Sequence, residues 1–295
     1  MRFISIILLV FSIIGCSPDK VFLKPIKISN YIRNKNQIEN DSTKILFTGK
    51  TYQPVFINNL FDSLSFPYTI SSFIFPSESG NRLNGWFLEN KEKTIPIAII
   101  YFHGNSGNIT TNYEFITPLL QYGFDIYIFD YSGFGFSEGK STRQNILLDG
   151  LSATDYITSL PSTKQHKIII YGQSFGGHLS TVVASMRQNK IDALVTESAF
   201  SSYDDAMTGI IGKLGRLASR ELYSAKDSIK NFHKPVLIIQ STEDKVVPFY
   251  MAQTLYNNAN NPKELYEITG KHVNGVILFH EEISDKIKKM LLYNL

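Results

Sequence analysis

Six apolar runs separated by helix-length stretches constrain this chain more than any other feature. They read IPIAIIYF, FDIYIFD, HKIIIYG, IDALVTE, KPVLIIQ and KELYEIT, in that order, between residues 95 and 269. Strands with no polar alternation must be buried on both faces, which predicts a mostly parallel central sheet with helices on both sides, an α/β fold. Just ahead of them, YTISSFIF and NRLNGWFLE flank the turn-forming PSESG and predict an antiparallel pair on the same sheet. A chain of 295 residues with 43% hydrophobic residues can fill such a core. Its 29 Lys and Arg stand against 26 Asp and Glu with no basic cluster, which gives no electrostatic footprint for nucleic acid.

One of these runs ends in a chemically suggestive way. In KIIIYGQSFGGHLSTVVASM, residues 167–186, a strand pattern breaks at glycines around Ser174 and resumes as a helix pattern. Gly172-Gln173-Ser174-Phe175-Gly176 fits G-x-S-x-G, in which small flanking residues let the chain turn tightly and present a hydroxyl at the strand end. The other reading of the segment is a structural glycine turn.

A serine hydroxyl becomes a nucleophile only when a base takes its proton, so a histidine and a carboxylate are needed downstream. Asp244 follows the strand-like VLIIQ, and His272 lies in the loop after LYEIT. Glu243, its neighbour, and Glu197, after an earlier strand, are competing acids, but the position just before the Lys245-Val246-Val247-Pro248 turn favours Asp244. His178 opens the helix after the turn and packs there, and His166, His233 and His280 read as surface or helix-end residues. An oxyanion also needs donors. The backbone N–H of Phe175 is one candidate, and the loop His103-Gly104-Asn105-Ser106-Gly107-Asn108 offers Asn105 as the second. A plain turn is the alternative for that loop.

Together HGNSGN, DYSGFGFSEG, GQSFGG, STEDKVVP and GKH, in this order, resemble the α/β-hydrolase superfamily, in the branch with monoacylglycerol-lipase-like and serine-aminopeptidase-like proteins. The resemblance spans Tyr68 to the C-terminus and implies the triad Ser174, Asp244 and His272, acyl transfer to water, and no metal or organic cofactor. Relatives that carry an aspartate at the turn, dehalogenases and epoxide hydrolases, do other chemistry. The family's D-Y-R-G-x-G-x-S departs here at Ser132, which leaves open what supports that loop. An acyl ester is the favoured substrate. A peptidase of the same fold, or a non-catalytic lipoprotein that binds a ligand, are the alternatives.

The N-terminus reads separately. Arg2 and the apolar Phe3–Ile14 form a signal-like segment too short to span a bilayer comfortably. Ile13-Ile14-Gly15-Cys16 resembles the lipobox of bacterial lipoproteins, which implies cleavage before Cys16, lipidation of its thiol, and a lipid-anchored place in the bacterial cell envelope. Ser17 after the cysteine, in place of aspartate, implies the outer membrane where one exists. An ordinary cleaved signal, or a short buried helix, is the alternative. Cys16 is the only cysteine, so no intramolecular disulfide can form. The expected organisation is a signal peptide over residues 1–16, a polar tether or lead-in over 17–50, and a catalytic domain over 51–295 with a small helical cap near 200–233. In the cap, Met207, Ile210, Ile211 and Leu214 read equally as an acyl pocket or as packing against the core.

Overall fold

A computed structural model of the protein describes residues 18–28, 31–35, 42–212, 215, 219 and 221–292. The signal segment and Cys16 lie outside the described residues. Strands β5 (Tyr68–Pro76), β6 (Arg82–Asn90), β7 (Ile97–Phe102), β9 (Asp125–Phe129), β10 (Lys167–Gln173), β11 (Ala193–Glu197), β12 (Val236–Ser241) and β13 (Lys263–Ile268) form one sheet, in the order β13-β12-β11-β10-β7-β9-β6-β5. Pairing is parallel from β9 to β13 and antiparallel at β9–β6 and β6–β5. The expected α/β architecture is therefore present. Every residue of β7, β9, β11 and β12 is buried, as expected of parallel strands covered on both faces.

The core lies in two clusters, one on each face of this sheet. On one face, helices α3 (Arg143–Ser159), α4 (Phe175–Met186) and α7 (Phe249–Asn258) contribute Ile146, Leu179, Val183 and Leu255. The other face is covered by α8 (Gly275–Leu292), through Val276, Ile283 and Ile287, by the short α2 (Ile109–Asn112), through Ile109, and by Leu119 and Leu120. Between β11 and β12 the chain rises into α5 (Tyr203–Ile211) and the short α6 (Ala225–Ser228). Met207 of α5 is buried in the core, which decides for packing at that position; the side chains of Ile210, Ile211 and Leu214 lie outside the described residues.

Over 17–50, where a polar tether or lead-in is expected, the described residues carry short regular elements. Helix α1 (Pro18–Phe22) brings Phe22 and Leu23 into the core, with the Phe22 ring 4.7 Å from that of Tyr203. Next comes β1 (Lys24–Pro25), which pairs in parallel with β8 (Ser106–Gly107). Strands β2 (Tyr31–Lys35), β3 (Ser42–Thr48) and β4 (Gln53–Ile57) form a separate antiparallel sheet. Ile45 and Phe56 of this sheet pack with Trp86 of β6, so the small sheet shares the core on one face of the central one. Its polar sequence hides this role because the buried apolar side chains described in it are few, Ile45, Phe56 and Ile57 among them. Alternation that sparse is outweighed by the surrounding Asn, Lys and Ser in any local reading.

Candidate active site

Ser174 sits between β10 and α4 with φ +54° and ψ −118°, a conformation that a residue with a Cβ rarely adopts. Its N–H donates to the Glu197 carbonyl at 2.9 Å, and its own carbonyl accepts from the His178 N–H at 3.1 Å. The flanking glycines make the turn possible. A Cβ at Gly176 would stand 2.0 Å from the Phe102 carbonyl oxygen, and one at Gly172 would stand 2.2 Å from Ser180 Oγ.

The three residues singled out in the sequence meet here, at the carboxyl ends of β10, β12 and β13. His272 Nε2 lies 2.9 Å from Ser174 Oγ, and its Nδ1 lies 2.7 Å from Asp244 Oδ2. The other carboxylate oxygen of Asp244, Oδ1, accepts the N–H groups of Val246 and Val247 at 2.8 and 3.0 Å. Burial alone would raise the pKa of Asp244, but the His272 hydrogen bond and these two backbone donors hold it below its ordinary value. Asp244 is thus kept ionised with one oxygen aimed at the imidazole.

Both proposed oxyanion donors border this point. Phe175 is the first residue of α4, so its N–H has no partner within the helix. Asn105 lies in the loop after β7, and the close approach of Gly176 to the Phe102 and His103 carbonyls packs that loop's base against the elbow. The carbonyl oxygen of Asn105 is held by the Lys24 N–H at 2.8 Å, which braces the loop from the N-terminal segment.

The competing acids fall elsewhere. Glu243 Oε2 accepts the Gly270 N–H at 3.0 Å in an exposed position. Glu197 is fully buried under the site. Its Oε1 accepts the Gly275 N–H at 2.6 Å, and its Oε2 accepts from Tyr171 Oη at 2.7 Å and Gln173 Nε2 at 2.8 Å. Gln173 directly precedes Ser174, and Gly275 closes the loop that carries His272. Glu197 therefore ties the two halves of the site together. Burial raises its pKa despite these three donors. In the sequence Glu197 reads only as a competing acid; a carboxylate at the end of the largely apolar run IDALVTE is the signal for a buried partner set.

Other groups around the site explain its rigidity. Asp149 supports the loop at Ser132: Oδ2 accepts the Ser132 N–H at 2.7 Å, while Oδ1 accepts from Ser77 Oγ at 2.6 Å and Ser79 Oγ at 2.8 Å. His178 is buried, stacks on Phe200 with ring centroids 4.2 Å apart, and has its pKa lowered to about 3 by burial, so it packs as a neutral ring. His166 pairs with Asp125 at 3.1 Å and His280 with Tyr122 Oη at 2.7 Å, both away from the triad, and His233 is exposed.

Comparison with known proteins agrees with this architecture. A family model described as the alpha/beta hydrolase fold matches residues 97–224. The chain is 32% identical to the uncharacterized protein YfhR of Salmonella typhi over 224 residues, which are 71% of this chain and 76% of that protein. Among solved structures, the esterase Pf2001 of Pyrococcus furiosus is similar with a TM-score of 0.62 at 18% identity, covering 76% of this chain and 89% of that one. Est1E of Butyrivibrio proteoclasticus, solved with ferulic acid bound, is similar with a TM-score of 0.61 at 21% identity, covering 74% of this chain and 98% of that one. At these identities the two structures speak for the fold, and the relation to YfhR extends along most of both chains. With its strand order, its serine at the strand-to-helix turn and this relationship, the chain belongs to the alpha/beta hydrolase family.

Proposed function

We propose that the protein is a serine hydrolase that cleaves acyl esters through an acyl-enzyme intermediate. The observation that carries this reading is the continuous hydrogen-bonded line from Ser174 Oγ through His272 to Asp244, at 2.9 and 2.7 Å. In this reading His272 Nε2 takes the hydroxyl proton as Ser174 Oγ attacks the carbonyl carbon, and Asp244 stabilises the imidazolium that results. The tetrahedral oxyanion is met by the N–H groups of Phe175 and Asn105. His272 then gives its proton to the leaving alcohol. Water, deprotonated by the same imidazole, releases the acid and restores Ser174. The strained backbone at Ser174 supports this reading, because such strain persists at sites where a side chain has to be presented.

The same proposal places the enzyme at a membrane, with Cys16 lipidated as the mature N-terminus in the bacterial cell envelope. That setting favours acyl esters over peptides as substrates. A fluorophosphonate should label the purified protein at Ser174, and Ser174→Ala should abolish labelling without unfolding the chain. Because triad members act as a unit, His272→Ala should cost about as much turnover as Ser174→Ala, with the double variant little worse than either. Labelling that persists in Ser174→Ala would refute the assignment. A panel of p-nitrophenyl esters of increasing chain length, beside aminoacyl anilides, separates esterase from peptidase.

A further inference from the structure

The segment just after Cys16 is tied to the loop that carries Asn105. Asp19 pairs with Arg143 at the start of α3, with Nε to Oδ1 at 2.9 Å. Arg143 in turn lies under the Tyr203 ring, 4.6 Å from its centroid, and donates to the Ser219 carbonyl at 3.0 Å, so Asp19 is fastened to the base of the segment over the site. Further along, the Lys24 N–H holds the Asn105 carbonyl at 2.8 Å and the Ile26 N–H holds the Gly107 carbonyl at 3.0 Å. The Ile26 carbonyl accepts from the Gly135 N–H and from Asn108 Nδ2, each at 3.0 Å. Residues 19–26 are therefore a strap from the cap to the loop that carries Asn105.

Only Ser17 and Pro18 separate Cys16 from Asp19. Three consecutive Cα–Cα steps reach at most about 11 Å, whatever conformation the intervening residues adopt. A lipid on Cys16 thus has no length of chain with which to hold this strap, and the loop paired with it, far from the bilayer. Exposed apolar side chains cluster at the same end of the sheet. Ile26 is on the strap, Leu222 precedes Tyr223 beneath the cap, Val246 follows Asp244, and Tyr250 lies in the first turn of α7; they are 56, 48, 67 and 46% exposed. Exposed lysines accompany them, Lys20 and Lys24 on the strap and Lys245 beside Val246. The neighbouring exposed acids are Glu221 beside Leu222 and Glu243 near Val246, so the lysines are in the majority, and apolar tips with a cationic excess suit the boundary between headgroups and acyl chains of an anionic leaflet.

We infer that the mouth of the active site rests on an anionic phospholipid surface, fixed there by the strap at residues 19–26, so that acyl substrates enter from the leaflet and not from bulk water. The inference rests on the lipidation of Cys16 proposed above and replaces a long flexible tether with a fixed orientation.

The test uses the full lipidated protein on vesicles of mixed phosphatidylcholine and phosphatidylglycerol containing a bromine-quenching lipid. With Cys16 acylated, a polarity-sensitive fluorophore can be attached to Leu222→Cys, at the mouth, or to Met186→Cys, at the far end of α4. The expected result is a blue shift and strong quenching at residue 222 and neither at residue 186. An insertion of about twelve Gly and Ser residues between Ser17 and Pro18, giving a reach of about 20 Å, should lower hydrolysis of a vesicle-borne long-chain ester roughly tenfold and leave turnover of a water-soluble short ester unchanged. Mass spectrometry of the mature N-terminus separates the two levels of the argument. An unmodified Cys16 overturns the anchoring reading and the orientation with it. A lipidated protein whose probe at residue 222 stays in water, or whose insertion variant keeps full activity on vesicles, overturns the orientation alone.

Discussion

Glu197→Gln measures how far the site depends on the carboxylate beneath it. The wild-type side chain offers acceptors to three buried donors, the Gly275 N–H at one oxygen and Tyr171 Oη and Gln173 Nε2 at the other. An amide of the same shape has one oxygen and one NH2. With the oxygen towards Gly275, the Tyr171 hydroxyl can rotate and accept from the new NH2, but Gln173 Nε2 has no lone pair and faces a donor. The opposite rotamer sets the NH2 against the Gly275 N–H, so at least one buried donor is left unsatisfied either way, at a cost of about 1–3 kcal/mol. Losing the carboxylate also removes the burial penalty that raises its pKa, and this offsets part of the loss of charge-assisted bonding. The expected net destabilisation is about 2 kcal/mol, and about 4 kcal/mol for Glu197→Ala, which abandons all three donors. Because Gln173 and Gly275 border Ser174 and the His272 loop, turnover should fall roughly ten- to a hundredfold through misplacement of the base. Guanidinium denaturation and steady-state hydrolysis of a soluble ester read the two effects. Wild-type stability together with wild-type turnover would refute the bridging role, and a rate loss as large as that of Asp244→Asn would make Glu197 the triad acid instead.

Three other outcomes follow from the geometry. Asp244→Asn should keep the fold but favour the wrong imidazole tautomer, lowering kcat by roughly ten thousandfold, whereas Glu243→Gln, at an exposed contact, should change it little; the kinetics of the two variants check this. His178 has its folded-state pKa depressed to about 3 against an ordinary 6.5, so its stabilising contribution is complete above the unfolded value and is lost as the pH falls from there towards 3. The loss should reach about 2 kcal/mol by about pH 5, and denaturant midpoints measured across pH should show that slope in the wild type and a flatter one in His178→Gln. Arg143→Met should release Asp19 and loosen the strap at a cost of about 2–3 kcal/mol, seen as faster proteolysis at the N-terminal segment; unchanged protection there would remove the anchoring role of this pair.

The central sheet and the order of Ser174, Asp244 and His272 were legible in the sequence because each rests on a local pattern. A strand buried on both faces has to be continuously apolar, and a serine presented at a strand-to-helix turn has to be flanked by residues without side-chain bulk. The sequence also placed Asp244 and His272 in loops just beyond strands, which all end at one edge of a parallel sheet. What it left undecided were contacts between segments far apart in the chain. Nothing near Asp19 says that its partner is Arg143, 124 residues away, and nothing in SPDKVFLKPIK says that its backbone will pair with the loop holding Asn105. Glu197 and Asp149 read as ordinary acids until the fold surrounds them with donors from Tyr171, Gln173 and Gly275, and from Ser77, Ser79 and Ser132. The physical reason is the same in each case: a hydrogen bond or ion pair takes its value from burial, and burial is a property of the packed tertiary structure that no short stretch of sequence carries.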